Sequence, residues 1–262
     1  MHFALEPEAS KAFDFVNLHK PEMIGKILAD IPADWWRLAL KRGLEYSKLN
    51  QQADAFMNYY ADRCSGKHFS HDWFTSKAWI WHELLLPYRD NAVDILELGV
   101  FEGRSVIFDL EMLPRSRVTA VDHFVLKAGW TSSQNVTLTQ DCETTFRQNT
   151  AGYGDRVDIR VAPSWIGLTE LIREGRQFDI CYIDASHTAP DVMADSILAW
   201  KLLKVGGLFV WDDFLLDIYH WDEGPVGPGV LNFLKSFPGT FDFVHAGWQV
   251  AVRKTAELSL MP

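Results

Sequence analysis

The sequence predicts a doubly wound α/β domain behind a helical amino-terminal extension. Three observations carry that expectation. The texture changes near residue 90, from helical periodicity without a convincing strand to alternating apolar runs and amphipathic stretches. The apolar runs are spaced widely enough for crossover helices, as parallel pairing requires. Two short apolar runs close the chain around a single glycine, the pattern of an antiparallel hairpin. At 262 residues the chain suits one large domain, or one domain with an extension. Residues 1–90 are therefore assigned to the extension and 91–262 to a ligand-binding α/β domain.

Each element follows from its local pattern. Ile24, Ile27, Leu28 and Ile31 share one helix face, with Pro21 suited to a first turn. One long helix or two follow over 34–61, with apolar Trp35, Trp36, Leu38, Leu44, Phe56, Tyr59 and Tyr60. Residues 76–86 read as a further helix bearing Trp81, Leu84 and Leu85 and ended by Pro87. Candidate strands are 93–98, 117–121, 157–161, 178–183 and 208–211. The clearest crossover helix is 189–203, where Val192, Ile197, Leu198, Trp200 and Leu202 lie between Pro190-Asp191 and Gly206-Gly207. The glycine- and proline-rich segment 224–229 reads as a loop, and 241–246 and 248–253 as a hairpin joined at Gly247.

Composition excludes several classes. A formal net charge of −10 argues against a nucleic-acid footprint, which needs clustered Lys and Arg. No apolar run approaches the roughly 18 residues that span a bilayer. The first residues carry no basic segment followed by an apolar core, so no signal peptide is expected. Cys64, Cys142 and Cys181 are odd in number and far apart, which fits neither a disulfide framework nor a CxxC metal site. A cytoplasmic setting is expected.

The most informative stretch is 94–105, Asp-Ile-Leu-Glu-Leu-Gly-Val-Phe-Glu-Gly-Arg-Ser. It reads as a strand that turns on glycine into a helix, which lets a ligand approach bare backbone at the end of a parallel strand. A second run, Val118-Thr119-Ala120-Val121, ends in Asp122, 23 residues after Gly99. A carboxylate there suits the ribose hydroxyls of an adenosine. A dinucleotide turn usually reads G-x-G-x-x-G, but Phe101 occupies the middle of this one and crowds a pyrophosphate. S-adenosylmethionine has no pyrophosphate, and its aminoacyl end prefers polar groups such as Glu97 and Ser105. Each feature alone has an ordinary reading, the glycines as a plain strand-to-helix turn and Asp122 as a helix cap.

These residues, with Tyr182-Ile183-Asp184-Ala185-Ser186-His187 and Leu203-Lys204-Val205-Gly206-Gly207…Trp211-Asp212-Asp213, resemble class I S-adenosylmethionine-dependent methyltransferases across 93–254. The resemblance is to the bacterial branch that includes macrolide sugar O-methyltransferases, and more distantly to catechol O-methyltransferase. It implies a Rossmann-like, seven-stranded, mostly parallel sheet with a carboxy-terminal antiparallel hairpin. It implies that Glu97, Gly99, Gly103 and Ser105 surround the methionine moiety and that Asp122 takes the ribose. His123 and Ser164 are placed near the adenine, His123 reading equally as a surface residue and Trp165 equally as core.

Asp184 ends the fourth expected strand and Asp212-Asp213 end the fifth, so three carboxylates are expected on one rim of the sheet. A divalent cation relieves their mutual repulsion, and hard oxygen ligands favour Mg²⁺, with Mn²⁺ or Ca²⁺ as alternatives. The plainer reading is that these acids cap turns. His187 follows Asp184 by three residues and is positioned to take a proton from an attacking hydroxyl. The resembling sugar enzymes place metal-binding acids and a general-base histidine at these positions. Asp184 is accordingly assigned to the chemistry, the cofactor and the metal. His68 and His71 share an HxxH spacing without an accompanying acid, and His82-Glu83 does not form HExxH.

The expected function is metal-assisted methyl transfer from S-adenosylmethionine to a small-molecule hydroxyl, on a sugar or another natural product. The alternatives are a metal-independent N- or C-methyltransferase, a non-catalytic cofactor-binding protein and, more remotely, a nicotinamide oxidoreductase. Segments 126–139 and 215–229 are expected to shape the acceptor pocket. The amino-terminal helices are expected to serve as a lid or to join copies in a homo-oligomer, with neither nucleic acid nor membrane as partner.

Overall fold

The computed structural model describes residues 32–125, 141–214 and 226–258. The expected helix at 24–31 and the segments 126–139 and 215–225 lie outside the described residues. Among the described residues seven strands are present: β1 (Asp94–Leu98), β2 (Arg117–Asp122), β3 (Val157–Val161), β4 (Phe178–Ile183), β5 (Leu203–Trp211), β6 (Phe241–Ala246) and β7 (Val250–Lys254). Their order is β3-β2-β1-β4-β5-β7-β6. β1, β2 and β3 pair in parallel, as do β4 and β5, whereas β7 runs against both β5 and β6. The expected mostly parallel sheet with a terminal hairpin is thus present. The helices are α1 (Ala33–Cys64), α2 (Ala78–Leu85), α3 (Arg104–Met112), α4 (Cys142–Thr150), α5 (Ser164–Arg173), α6 (Ala189–Leu202) and α7 (Val226–Ser236). By contacts the chain divides into two compact units, 48–167 and 1–47 with 168–262.

In the unit 48–167, Phe108 of α3 meets Phe56, Tyr60 and Phe74 edge-on at 5.0, 5.1 and 5.2 Å. The Tyr60 hydroxyl donates to the Arg104 carbonyl at 2.9 Å, so α1 is fastened to the start of α3. Glu111 accepts from the Tyr59 hydroxyl, from Arg63 Nε at 2.9 Å and from the Tyr153 hydroxyl at 2.7 Å. Phe56 and Tyr60 are core, as their periodicity suggests, while Tyr59 is partly exposed and held through its polar end.

Asp109 lies on the same helix and is buried. Its Oδ2 has no hydrogen-bond partner among the described residues, and burial holds the carboxyl well above the usual carboxylate range. An acid whose pKa is raised by folding ionises more readily in the unfolded chain. Its stabilising effect is complete below the unfolded value of about 3.9 and declines as pH rises toward the folded value. Asp109→Asn is expected to raise the melting temperature more at pH 8 than at pH 5, by about 2–4 °C for each kcal/mol recovered. Equal shifts at the two pH values in thermal melts would contradict this.

In the other unit, Trp211 packs on Phe209 at 4.5 Å and on Phe233 at 5.4 Å, and Trp200 on Phe233 at 5.3 Å. Trp35 lies 5.7 Å from Phe214. The buried Lys254 ammonium donates to the carbonyls of Trp200 at 3.0 Å and Leu203 at 2.8 Å, a cation placed at the end of α6.

Two local expectations are corrected here. β5 begins at Leu203, directly after α6, because 204–207 form a bulge between the pairs Phe178↔Leu203 and Ile180↔Leu208. Gly206 takes φ 89°, and a Cβ on Gly207 would lie 2.9 Å from the Asp179 carbonyl, so both glycines are required by the bulge. Residues 226–229 are not loop but the first turn of α7. Pro228 is tolerated there because the first N–H groups of a helix have no intrahelical acceptor. Gly229 lets α7 approach α6, since a Cβ would lie 2.8 Å from both the Ala189 carbonyl and Val192 Cβ. Gly229→Ala should therefore cost about 1–3 kcal/mol by overpacking, read from denaturant midpoints.

Candidate functional site

The glycine turn is set by strand register. Leu98 pairs with Val121, which brings Gly99 beside Asp122, and Gly99 N donates to the Val121 carbonyl at 3.0 Å. The turn takes left-handed φ at Gly99 (79°), Phe101 (46°) and Gly103 (83°). Asp122 closes it: Oδ2 accepts from Val100 N at 2.8 Å and Phe101 N at 3.1 Å, and Oδ1 from Phe124 N at 2.7 Å. The residue expected to receive ribose hydroxyls thus also shapes the loop, and Oδ1, with one N–H bond, keeps further acceptor capacity. Glu97 is fully buried and accepts from the Ser105 hydroxyl, so these two form a pair. His123 is exposed, with Nδ1 accepting from Val125 N at 2.8 Å. Ser164 is half-buried at the start of α5, and Trp165 is exposed rather than core.

Sequence reasoning missed the segment that covers this turn. Glu102 is buried and accepts from Ser70 N at 2.6 Å and Ser70 Oγ at 2.7 Å. Asn149 Nδ2 donates to the His68 carbonyl at 2.7 Å and the Glu102 carbonyl at 2.9 Å. Trp73 lies 4.9 Å from Phe101, and His71 lies 4.5 Å from Trp73. The HxxH histidines thus belong to a strap over the turn. No local pattern signals these pairings, which join residues 32 to 81 positions apart.

The acids lie in the other unit and follow the same rule. Ile183 pairs with Trp211, so Asp184 and Asp212 leave neighbouring strand ends. Asp184, His187 and Asp213 each offer a ligand atom, all within 4.8 Å of one another. His187 Nε2 donates to Asp213 Oδ2 at 3.3 Å. The loop carrying His187 is fixed to α6: Ser186 Oγ and Thr188 Oγ1 donate to Asp191 Oδ2 at 2.7 and 2.8 Å. Asp213 takes φ 55°, and its Oδ1 accepts from Trp248 Nε1 at 2.7 Å. Asp212 is buried instead. Its Oδ2 accepts from the Tyr182 hydroxyl and from Gln249 Nε2 at 3.2 Å, and its Oδ1 from Asp213 N at 2.8 Å. The Tyr182 hydroxyl also lies 3.2 Å from Asp184 Oδ2.

Of the three acids expected to bind metal, Asp184 and Asp213 thus come together with His187, while Asp212 is held by Tyr182 and Gln249. A small cleft is lined by Asp184, His187, Asp212 and Asp213 among others. Two carboxylates and an imidazole this close suit a divalent cation by charge and by donor type. Burial opposes charge on His187, but its bond to Asp213 and the charges of Asp213, Asp184 and Asp212 outweigh that and lift its pKa to about 9. Tyr182, Trp248 and Gln249 were not anticipated; carrying the β5–β7 register two residues past the strands would have found the last two.

The sheet order, with its terminal antiparallel hairpin, is that of the class I methyltransferase fold. Residues 96–214 match the family model described as a methyltransferase domain. The chain is 27% identical over 181 residues to caffeoyl-CoA O-methyltransferase 1 of Eucalyptus globulus, covering 66% of this chain and 63% of that one. It therefore spans somewhat less than two thirds of that relative. Among solved structures, an O-methyltransferase from Bacillus cereus in complex with SAH superposes with TM-score 0.52 at 19% identity, over 95% of this chain and 100% of that one. A putative O-methyltransferase from Klebsiella pneumoniae gives 0.53 at 19% identity, over 80% and 97%. MycE methyltransferase from the mycinamycin biosynthetic pathway, in complex with Mg and SAH, gives 0.50 at 18% identity, over 89% and 62%. At these identities the structures speak for the fold. Among the described residues no helix is long and apolar enough to cross a membrane.

If Asp122 shapes the turn before any ligand arrives, Asp122→Asn should destabilise the ligand-free protein by about 1–3 kcal/mol, because an amide NH₂ cannot accept from the turn's N–H groups. A residue serving only the ribose would leave ligand-free melts unchanged.

Proposed function

We propose that this protein transfers a methyl group from S-adenosylmethionine to a hydroxyl of a small molecule, assisted by a divalent cation. The observation that carries the reading is the convergence of Asp184, His187 and Asp213 within 4.8 Å. The glycine turn at Gly99, with Glu97, Gly103, Ser105 and Asp122, is the proposed cofactor site, with Ser164 and the exposed His123 as candidates near the adenine. Asp184 and Asp213 would hold the cation, with Asp212 behind them. When bound, the cation supplies positive charge that fixes the acceptor hydroxyl and makes its proton more acidic. His187 accepts that proton as the oxygen lone pair forms the new O–CH₃ bond and the C–S bond breaks, leaving S-adenosylhomocysteine. The displacement is in line, so holding the acceptor in place supplies most of the rate.

One observation favours a second reading. The direct His187–Asp213 bond at 3.3 Å is itself an imidazole–carboxylate pair of the kind that serves as a base without metal. Against it, an imidazole whose pKa is lifted to about 9 already carries its proton at neutral pH. Positive charge placed on the carboxylates would offset that lift, which favours the cation-assisted route. By analogy, the name of the caffeoyl-CoA O-methyltransferase supports oxygen as the acceptor, and the Mg in the MycE complex supports the cation. A small hydroxylated acceptor, a cytoplasmic setting and association through the amino-terminal helices complete the proposal, with 1–90 as the accessory segment.

The test is turnover of labelled S-adenosylmethionine against a panel of small hydroxylated acceptors, with Mg²⁺ and with chelator. Chelation should abolish most of the rate, and His187→Ala should lower kcat by about 10²–10⁴ while cofactor binding persists. Full activity in chelator would select the metal-free reading. Tight cofactor binding without turnover on any acceptor would indicate a non-catalytic binding protein.

A further inference from the structure

The β6–β7 hairpin reaches the acid pair through its turn. Ala246 pairs with Val250, leaving Gly247-Trp248-Gln249 as a three-residue connection. β7 runs antiparallel to β5 with Trp211 opposite Val250. One and two steps further, Gln249 falls opposite Asp212 and Trp248 opposite Asp213. The bonds follow that register: Gln249 Nε2 to Asp212 Oδ2 at 3.2 Å, Trp248 Nε1 to Asp213 Oδ1 at 2.7 Å, and Phe214 N to the Trp248 carbonyl at 2.9 Å. Each acid thus receives one side-chain donor from the turn.

Gln249 is an expensive residue for this position. It is fully buried, and its Oε1 has no hydrogen-bond partner among the described residues. An unpaired buried amide oxygen destabilises a fold, whereas an apolar side chain of similar size would not. A residue kept for stability alone would not be an amide here. The bond to Asp212 is the gain that the position offers.

We propose that Trp248 and Gln249 are positioning residues that clamp Asp213 and Asp212 in the geometry a divalent cation requires. The inference rests on the cation-assisted reading and adds to it the part of the chain that sets the acids. Trp248 leaves Asp213 Oδ2 turned toward His187 and the cation position. Gln249, with Tyr182, holds the Asp212 carboxyl in place behind them. Partners that orient ligands in this way typically govern metal affinity by 10–100-fold.

Mn²⁺ titrations of the full chain, followed by the electron paramagnetic resonance signal of free Mn²⁺, test this in wild type, Gln249→Leu and Trp248→Phe. Thermal melts of each in chelator accompany them. Both variants should bind Mn²⁺ about tenfold more weakly. Gln249→Leu should nevertheless melt no lower than wild type, because it removes an unpaired buried oxygen. Affinities within twofold of wild type for both variants would overturn the clamp and leave the cation reading standing. A Gln249→Leu variant that loses affinity and melting temperature together would show a structural role instead, which also overturns it. Wild-type protein that binds no Mn²⁺ would overturn the cation reading, and the clamp with it.

Discussion

Parallel pairing in register is the constraint from which both the glycine turn and the acid cluster follow. Where two parallel strands stop together, the next residue of each emerges at the same height, and the backbone beyond it leaves the ladder. The pair Leu98↔Val121 delivers Gly99 beside Asp122, and the pair Ile183↔Trp211 delivers Asp184 beside Asp212. In the first case the free backbone N–H groups of the turn are taken by the neighbouring carboxylate. In the second, two carboxylates emerge side by side and need donors or a cation between them. One rule of sheet geometry therefore yields an amide-rich turn in one unit and an acid-rich rim in the other.

Buried carboxylates are handled in three ways, and the differences separate structure from function. Glu97 is paired with a hydroxyl, that of Ser105. Asp212 is surrounded by donors from Tyr182, Gln249 and Asp213 N. Asp109 receives no such support at Oδ2, and burial holds its carboxyl well above the usual carboxylate range. The fold thus supplies several donors at Asp212 and, among the described residues, none at Asp109 Oδ2.

The strands were legible because each is a short apolar run ended by an acid or a turn residue, and β3, β4 and β6 fall where the pattern puts them. The acids and His187 were legible because they stand just beyond those runs. The first turn of α7 was not, because Gly227, Pro228 and Gly229 carry the composition of a loop, and only contact with Ala189 and Val192 explains the glycine at 229. The partners were not legible either. Ser70 with Glu102, Asn149 with His68, and Gln249 with Asp212 are pairings across long stretches of chain, and nothing local distinguishes such a serine or glutamine from a surface one. Periodicity reports which face a residue lies on. It does not report which residue waits on the other side.

Backbone strain gives an independent pointer to the same places. Three residues other than glycine take left-handed φ among those described: Phe101 at 46°, Phe124 at 53° and Asp213 at 55°. Phe101 lies in the glycine turn, Phe124 follows Asp122, and Asp213 is in the acid cluster. Side chains with a Cβ pay of order 1–3 kcal/mol for sparsely populated conformations of this kind, so each needs a local restraint. The restraints are visible: Asp122 accepts from the N–H groups of Phe101 and Phe124, and Trp248 and His187 hold the two oxygens of Asp213. A turn that served only to reverse the chain would relax by accepting glycine or asparagine at these positions. Their strain is retained where the sequence independently predicts cofactor and cation, and the restraining groups are the same residues that shape those sites.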